Sequence, residues 1–382
     1  MKKFLAFLMA TVMVVAMFAG CGNKTSGSGE FVIGMSGPLT GGAAVYGVAV
    51  QNSAQMAVDE INAAGGLNGY KFKLVATDDQ NDPSKLATNY ATLLEKGVHV
   101  SLGTVTTKPC LEFKNLSKQD NLFFLTPSAT GDDVPEFANG YQMCFADGDQ
   151  GKVAAEYVNT LGLSKIGVFF KSDDPYSDGI YKNFAANLSK DIAVVETQFT
   201  DANATDFSAQ ITQLKECTFI FMPIYYQPAT LFMTQAKSVL KADAIYYGCD
   251  GFDGIDSQEG FDIKSIPQKV TMLSHFNSKA TEGAAKTFID KYVAKYGQDT
   301  LNQFGASAYD CVYALYGAMK KAMDAGKEIP VTISADDLCE ILKEQFKGGY
   351  TYENGVTGDK ITWDEKGYVD KSAIQYVIKE AN

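Results

Sequence analysis

The feature that most constrains the fold is a repeated alternation of strand-like and helix-like segments along almost the whole chain. In the first half, the pattern predicts helices that cross 51–56, follow Pro83 and begin near Thr107. The strands predicted between them are 31–34, 70–76, 99–103 and 122–125. Strands joined by helical crossovers form mainly parallel sheets, so this half predicts an α/β unit.

A second series of the same kind follows. It predicts helices at 150–161 and after Pro175, and strands at 141–146, 166–170, 192–195, 219–222, 244–248 and 270–274. Later helices at 282–296 and 306–323 are expected to return to the first unit, ahead of a hairpin-like stretch around Trp363. About 350 residues are too many for one small core, so we predict two lobes with a cleft at the carboxyl ends of their strands.

The first twenty residues are typical of a signal peptide. Lys2 and Lys3 precede an uncharged run at 4–19 that is short for a transmembrane helix. The run ends in Ala19-Gly20-Cys21, which resembles the lipobox, where the cysteine is lipidated and becomes the first mature residue. Phe18 departs from the usual leucine, so plain secretion stays open. Both interpretations are extracytoplasmic, and the first anchors Cys21 to the outer face of the cell membrane.

The amino-acid composition differs between a short flexible segment, the leash, and the folded part of the chain that follows it. Residues 21–30 are rich in glycine and serine, which predicts a flexible leash. The chain is 46% hydrophobic and 12% aromatic, which excludes a disordered protein. Its net charge of −12 argues against nucleic acid or an anionic lipid surface as a partner. No later segment is long and apolar enough to span a bilayer.

Signatures of enzymes and metal sites are absent from the sequence. There is no HExxH, GxSxG or GxxxxGK[ST] motif, and no GxGxxG motif follows the first strand. His99 and His275 both lie beside predicted strands, which favours structural roles. The acids of 250–256 recur every third residue, unlike those of a calcium loop. We therefore predict no catalytic residue, no metal and no cofactor.

The six cysteines after Cys21 are widely scattered, without the close spacing of a zinc site. We interpret most of them as small buried apolar residues, with Cys110 and Cys144 as a speculative pair.

A series of motifs in order and at characteristic spacing closely resembles the leucine/isoleucine/valine-binding protein family. The early motifs are Ile33-Gly34, Gly37-Pro38-Leu39-Thr40-Gly41, Tyr46-Gly47, Asp59 through Gly66, Asp78-Asp79 and Asp82-Pro83. The later ones are Leu125 through Thr130, Pro175 through Gly179, Asp206-Phe207-Ser208 and Ile361 through Gly367. The resemblance covers nearly the whole mature chain.

The resemblance implies a type I periplasmic-binding fold, with two doubly wound parallel-sheet lobes joined by a three-segment hinge. The lobes would comprise 31–146 with 276–355, and 147–275 with 356–382. Some family members carry a disulfide at positions that here are Asn81 and Gly103, so that bridge cannot form in this chain.

An α-amino acid needs donors for its carboxylate and an acid for its ammonium group, because buried charges must be paired. Thr104, Ser128, Ala129 and Thr130 follow strands and match family positions for the carboxylate. Asp250 matches a position that is commonly Glu and binds the ammonium group. The shorter acid leaves the ligand's size and pose open.

Aromatic residues complete the predicted site. Tyr176 and Tyr226 match family positions in the cleft. Tyr46, Phe304 and Tyr226 offer aromatic faces that suit an apolar substituent, such as that of a branched-chain amino acid.

The resemblance implies a monomer that binds an amino acid and delivers it to the permease subunits of an ABC importer. A sensor that presents the ligand to a receptor is the first alternative. A family of this shape also includes proteins that bind amides, urea and aromatic acids. A hydrolase on a similar frame is disfavoured, because the sequence offers no activated nucleophile.

Overall fold

The computed structural model describes residues 29–381. The predicted signal peptide, Cys21 and all but the last two residues of the predicted leash lie outside this range. No helix within residues 29–381 is both long and apolar enough to cross a membrane.

The first sheet has five strands in the order β2-β1-β3-β4-β5, and all neighbouring strands are parallel. Its strands are β1 (Glu30–Gly37), β2 (Lys71–Asp78), β3 (Val100–Ser101), β4 (Phe124–Thr126) and β5 (Gly140–Gln142). The crossovers contain α1 (Ala44–Ala63), α2 (Leu86–Glu95) and α3 (Thr107–Gln119). After its first residue, β1 is buried throughout, as expected for a parallel strand covered on both faces.

The second sheet has six strands in the order β13-β10-β9-β8-β6-β7. Its parallel strands are β6 (Lys165–Lys171), β7 (Ala193–Phe199), β8 (Phe219–Met222), β9 (Ile245–Gly248) and β10 (Lys269–Ser274). Helix α4 (Asp147–Thr160) precedes β6, and the helices between the strands are α5 (Pro175–Asn187), α6 (Ser208–Leu214) and α7 (Tyr226–Ala236). The last strand, β13 (Ile374–Lys379), pairs antiparallel with β10 and was not predicted.

Three further helices follow β10, namely α8 (Gly283–Tyr296), α9 (Gln303–Asp324) and α10 (Ala335–Lys347). As predicted, they return to the first lobe. The Tyr309 hydroxyl on α9 donates to Glu60 on α1 at 2.6 Å. The two helices cross closely, because a Cβ at Gly305 would lie 3.0 Å from the Ala49 carbonyl oxygen. A small hairpin, β11 (Tyr352–Glu353) with β12 (Lys360–Ile361), precedes β13.

The chain passes between the two sheets three times, after β5, after β10 and before β13. The predicted fold class, two mainly parallel α/β lobes with a three-segment hinge, is therefore confirmed. The boundaries of the lobes stay a prediction. One contact joins the two predicted ranges. Trp363, which lies in the range assigned to the second lobe, donates its indole N–H to the carbonyl of Gln142 on the first sheet at 2.7 Å.

The two histidines form hydrogen bonds within the fold, and the cysteines of the described range are buried in it. The His99 ring accepts from the Val32 backbone nitrogen at 3.0 Å and contacts the Val331 carbonyl. His275 is buried in the second crossover, where its Nε2 lies 2.7 Å from the Ser307 hydroxyl. All six cysteines of the described range are buried and unpaired, so Cys110 and Cys144 form no disulfide.

Candidate ligand-binding site

A cleft lies where the carboxyl ends of the strands of both sheets face each other. Its empty space totals about 210 Å³. The wall is formed by residues of both lobes, namely Tyr46, Val105, Thr106, Thr107, Ser128, Thr130, Tyr176, Tyr225, Asp250, Gly251 and Phe304. The site is therefore a narrow space between the two lobes.

One wall of the cleft is rich in hydroxyl groups. Thr106 and Thr107 stand at the start of α3, and their buried hydroxyls have no hydrogen-bond partner within residues 29–381. Ser128 and Thr130 face them from the loop after β4. A buried hydroxyl left unpaired costs roughly 1–3 kcal/mol, and the helix N-terminus adds a partial positive charge. This wall is suited to binding a carboxylate.

Two residues predicted for this wall lie behind it. The Thr104 hydroxyl donates to the Thr106 carbonyl at 3.2 Å. The Ala129 backbone nitrogen donates to the Thr126 hydroxyl at 3.1 Å. Because β3 already ends at Ser101, the chain reaches the cleft further along, at the first turn of α3. The missed residues Thr106 and Thr107 could have been found by following the predicted helix start instead of the strand end.

The opposite wall carries an acid. Asp250 follows β9, is 1% exposed and accepts a hydrogen bond from the Tyr176 hydroxyl at 2.6 Å. The Tyr176 oxygen in turn accepts the Gly251 backbone N–H at 2.9 Å. Burial raises the pKa of Asp250 to about 6, and the hydrogen bond from Tyr176 and the nearby amide of Gln150 oppose that rise. Among residues 29–381, no lysine or histidine forms an ion pair with this carboxylate.

A second buried acid was missed by the sequence analysis. Asp147 begins α4, is 2% exposed, and its Oδ1 has no hydrogen-bond partner in the described part of the chain. Burial raises the pKa of Asp147 well above its usual range; a hydrogen bond from Thr130 opposes the rise, and the charge of Asp250 adds to it. The polar run at 147–150, directly after a crossover, was the available signal. Two neighbouring buried acids favour binding of a cation.

Aromatic rings occupy the space between these walls. Tyr46 of α1 and Phe304 of α9 meet edge to face, with ring centroids 4.8 Å apart. On the second lobe, Tyr225 stacks on Tyr176 at 4.6 Å. The predicted residue Tyr226 instead packs against Tyr46 at 5.1 Å and is not part of the cleft wall. Neighbouring side chains at the start of a helix point in different directions, so the sequence alone could not show whether Tyr225 or Tyr226 lines the cleft.

The two lobes touch across the cleft. The Tyr46 hydroxyl donates to the Gly251 carbonyl at 2.5 Å and accepts the Tyr226 backbone N–H at 3.3 Å. The Gln303 backbone N–H at the start of α9 donates to the Asp253 carboxylate at 2.9 Å. The loop after β9 is therefore held by groups of the first lobe.

Most of the predicted binding residues come together in this cleft. Those in its wall are Tyr46, Ser128, Thr130, Tyr176, Asp250 and Phe304. Their contact with a ligand stays a prediction, as does that of Thr104, Ala129 and Tyr226.

Two mainly parallel α/β lobes, three crossovers and a cleft between the lobes define the type I periplasmic-binding class. The family described as periplasmic binding protein matches residues 30–374, and the chain belongs to this family.

Several known proteins are similar over nearly the whole chain. The Leu/Ile/Val-binding protein BraC3 of Rhizobium johnstonii is 28% identical over 343 residues, which are 85% of this chain and 90% of the relative. LivJ of Streptococcus pneumoniae, solved in complex with isoleucine, is 26% identical, with a TM-score of 0.75 over 91% of this chain and 100% of that one. The leucine-binding protein LivK of Thermotoga maritima has a TM-score of 0.78 at 23% identity, over 91% and 95% of the chains, and supports the fold alone.

Proposed function

We propose that this protein captures an apolar α-amino acid, most suitably a branched-chain one, in the cleft and delivers it to an ABC importer. The observation that carries the proposal is the distribution of unpaired polar groups. Buried hydroxyls lie on one wall, the buried acid Asp250 lies on the other, and aromatic rings lie between them. A zwitterion with an apolar substituent satisfies all three surfaces.

The ligand carboxylate accepts hydrogen bonds from the unpaired hydroxyls of Thr106 and Thr107. Its ammonium group pairs with the carboxylate of Asp250. Pairing removes the penalty of burying each charge alone. The substituent then lies against the rings of the cleft, which offer no partner for a second charge.

Binding requires the lobes to separate and close again. The cleft wall is formed by residues of both lobes, so a ligand held there is enclosed between them. The contacts of Tyr46 with Gly251 and of Gln303 with Asp253 join the two lobes, so they break on opening and form again on closure. Hinge closure of this kind presents a closed surface of both lobes to a permease.

The relatives support the class of ligand. The similar structure from Streptococcus pneumoniae was solved with isoleucine, and the Rhizobium relative is named for leucine, isoleucine and valine. No covalent chemistry is needed for this function. The Ser307–His275 pair is buried and is not part of the cleft wall.

The N-terminal pattern completes the proposal. A signal peptide at 1–20 exports the chain, and a lipid on Cys21 holds the monomeric mature protein at the outer face of the cell membrane. Cell fractionation tests the anchor: the natural chain should sediment with membranes, and the Cys21→Ala variant should not carry a lipid by mass spectrometry. A natural chain without lipid on Cys21 would leave plain secretion as the correct interpretation.

Ligand-induced stabilisation tests the function. The mature chain from residue 22 is melted with leucine, isoleucine, valine, alanine, phenylalanine or urea. A ligand at a hundred times its Kd adds roughly 2.7 kcal/mol, which raises the melting temperature by several degrees. We expect the largest rise with a branched-chain amino acid. A rise with urea alone would refute the assignment of the charged walls.

A further inference from the structure

Gln150, on the first turns of α4, is a fully buried amide beside the site. It is 0% exposed, and its Oε1 accepts the backbone N–H of Asp250 at 3.0 Å. Its Nε2 has no hydrogen-bond partner within residues 29–381. Burying an amide N–H group without a hydrogen-bond partner is costly, so the unpaired donor at this position indicates a functional role.

The free end of this amide acts on the Asp250 carboxyl. The Gln150 Nε2 atom forms no hydrogen bond with the carboxylate in this structure. The Gln150 side chain nevertheless lowers the pKa of Asp250, and only the Tyr176 hydroxyl opposes the effect of burial more strongly. One side chain therefore holds the backbone of Asp250 through its carbonyl oxygen and leaves its N–H donor unpaired near the carboxyl group. Gln150 is not part of the cleft wall, so this action is indirect.

We propose that Gln150 is a positioning residue that orients the Asp250 carboxylate and keeps it charged for the ammonium group of the ligand. The proposal rests on the proposed function, because it takes Asp250 as the partner of that ammonium group. When the ammonium group draws the carboxylate into the cleft, the Gln150 amide N–H completes a hydrogen bond to the carboxylate, while its carbonyl continues to hold the backbone. A charge-assisted bond of this kind is stronger than a neutral one.

Other ionisable groups face Asp250 and enter the interpretation of its titration. They are Tyr46 on α1, Cys144 in the first crossover, Asp147 on α4, Tyr176 on α5, Tyr225 before α7, and Cys249 and Asp253 in its own loop. When ionised, each of these groups is negative. The charged form is favoured instead by the hydroxyl of Tyr176, the amide of Gln150 and the backbone N–H groups of Gly251 and Asp250.

The test compares Gln150→Met with a matched control, Gln268→Met. Gln268 is also 0% exposed with one unpartnered amide atom, but it lies before β10 and is absent from the cleft wall. A purely structural role for Gln150 would make both variants alike. Gln150→Asn, which keeps the amide but shortens its reach, serves as the second variant if Gln150→Met does not fold.

The first readout needs no ligand. Aspartate carboxyl carbons are labelled with ¹³C and titrated by NMR, and the Asp250 signal is assigned by its loss in Asp250→Asn. We expect the Asp250 pKa to rise in the Gln150 variant and to stay unchanged in Gln268→Met. Equal Asp250 titration in the natural chain and in the Gln150 variant would overturn the proposal.

The second readout is the affinity for leucine by calorimetry at pH 7. We expect Gln150→Met to weaken binding by about ten- to a hundredfold, as for loss of a hydrogen bond to a charged group, and Gln268→Met to leave it unchanged. Equal affinity in the two variants would refute the role of Gln150. If the natural chain binds no amino acid, the proposed function fails, while the carboxyl titration still decides whether Gln150 controls Asp250.

Discussion

Replacing Asp250 by asparagine should stabilise the ligand-free protein and abolish its function. The carboxyl group is 1% exposed, and burial raises its pKa to about 6 from an ordinary value of 3.8. A shift of this size corresponds to at most about 3 kcal/mol of destabilisation once the group is ionised. Asparagine has nearly the same shape and no charge, so it removes this penalty.

The sign of the effect follows from proton binding. Because the folded-state pKa lies above the unfolded one, the folded protein binds the extra proton. The stabilisation from this group is complete below about pH 4 and is lost as the pH rises through about 6. The melting temperature of Asp250→Asn should therefore exceed that of the natural chain at pH 7.5, and the difference should vanish near pH 4.

Ligand binding should change in the opposite direction. Removing one partner of a buried, hydrogen-bonded charge pair costs about 2–5 kcal/mol, because the ammonium group is left unpaired. At about 1.4 kcal/mol per tenfold, the affinity for a branched-chain amino acid should fall at least about thirtyfold. Calorimetric titration measures this loss, and differential scanning calorimetry measures the gain in stability.

Either of two outcomes would refute this reasoning. Natural affinity in Asp250→Asn would mean that the carboxylate does not bind the ammonium group. A lower melting temperature at pH 7.5 would mean that the charged form is better solvated than its burial indicates.

Three further predictions concern the same cleft. Tyr46→Phe removes the bond to the Gly251 carbonyl but keeps the ring, so calorimetry should show about three- to tenfold weaker binding, with unchanged affinity refuting a role in closure. Thr107→Val removes an unpartnered buried hydroxyl; the ligand-free chain should melt at the same or a higher temperature while affinity falls about tenfold or more. Affinity should also fall about tenfold per unit below pH 6, because the ligand binds the ionised form of Asp250, and a flat profile from pH 5 to 8 would contradict this.

The order of strands and helices could be predicted from the sequence because it depends on local patterns. Apolar periodicity and glycines at helix ends are properties of neighbouring residues, and the helices predicted at 282–296 and 306–323 are observed within a few positions. Strand β13 was missed, because an exposed edge strand is defined by its pairing with β10, more than 90 residues away, and not by its own pattern.

The site shows the same division. The sequence by itself predicted the two-lobed class and the loops that border the cleft, since residues after strands share one edge of a sheet, and the family resemblance indicated Asp250, which lies in the cleft wall. Only the tertiary structure decided that Tyr225 rather than Tyr226 lines the cleft, and that Asp147 joins Asp250. It also decided that Tyr46 meets Gly251, 205 positions away. Side-chain direction depends on helix phase and on packing between distant segments, and a one-dimensional pattern records neither.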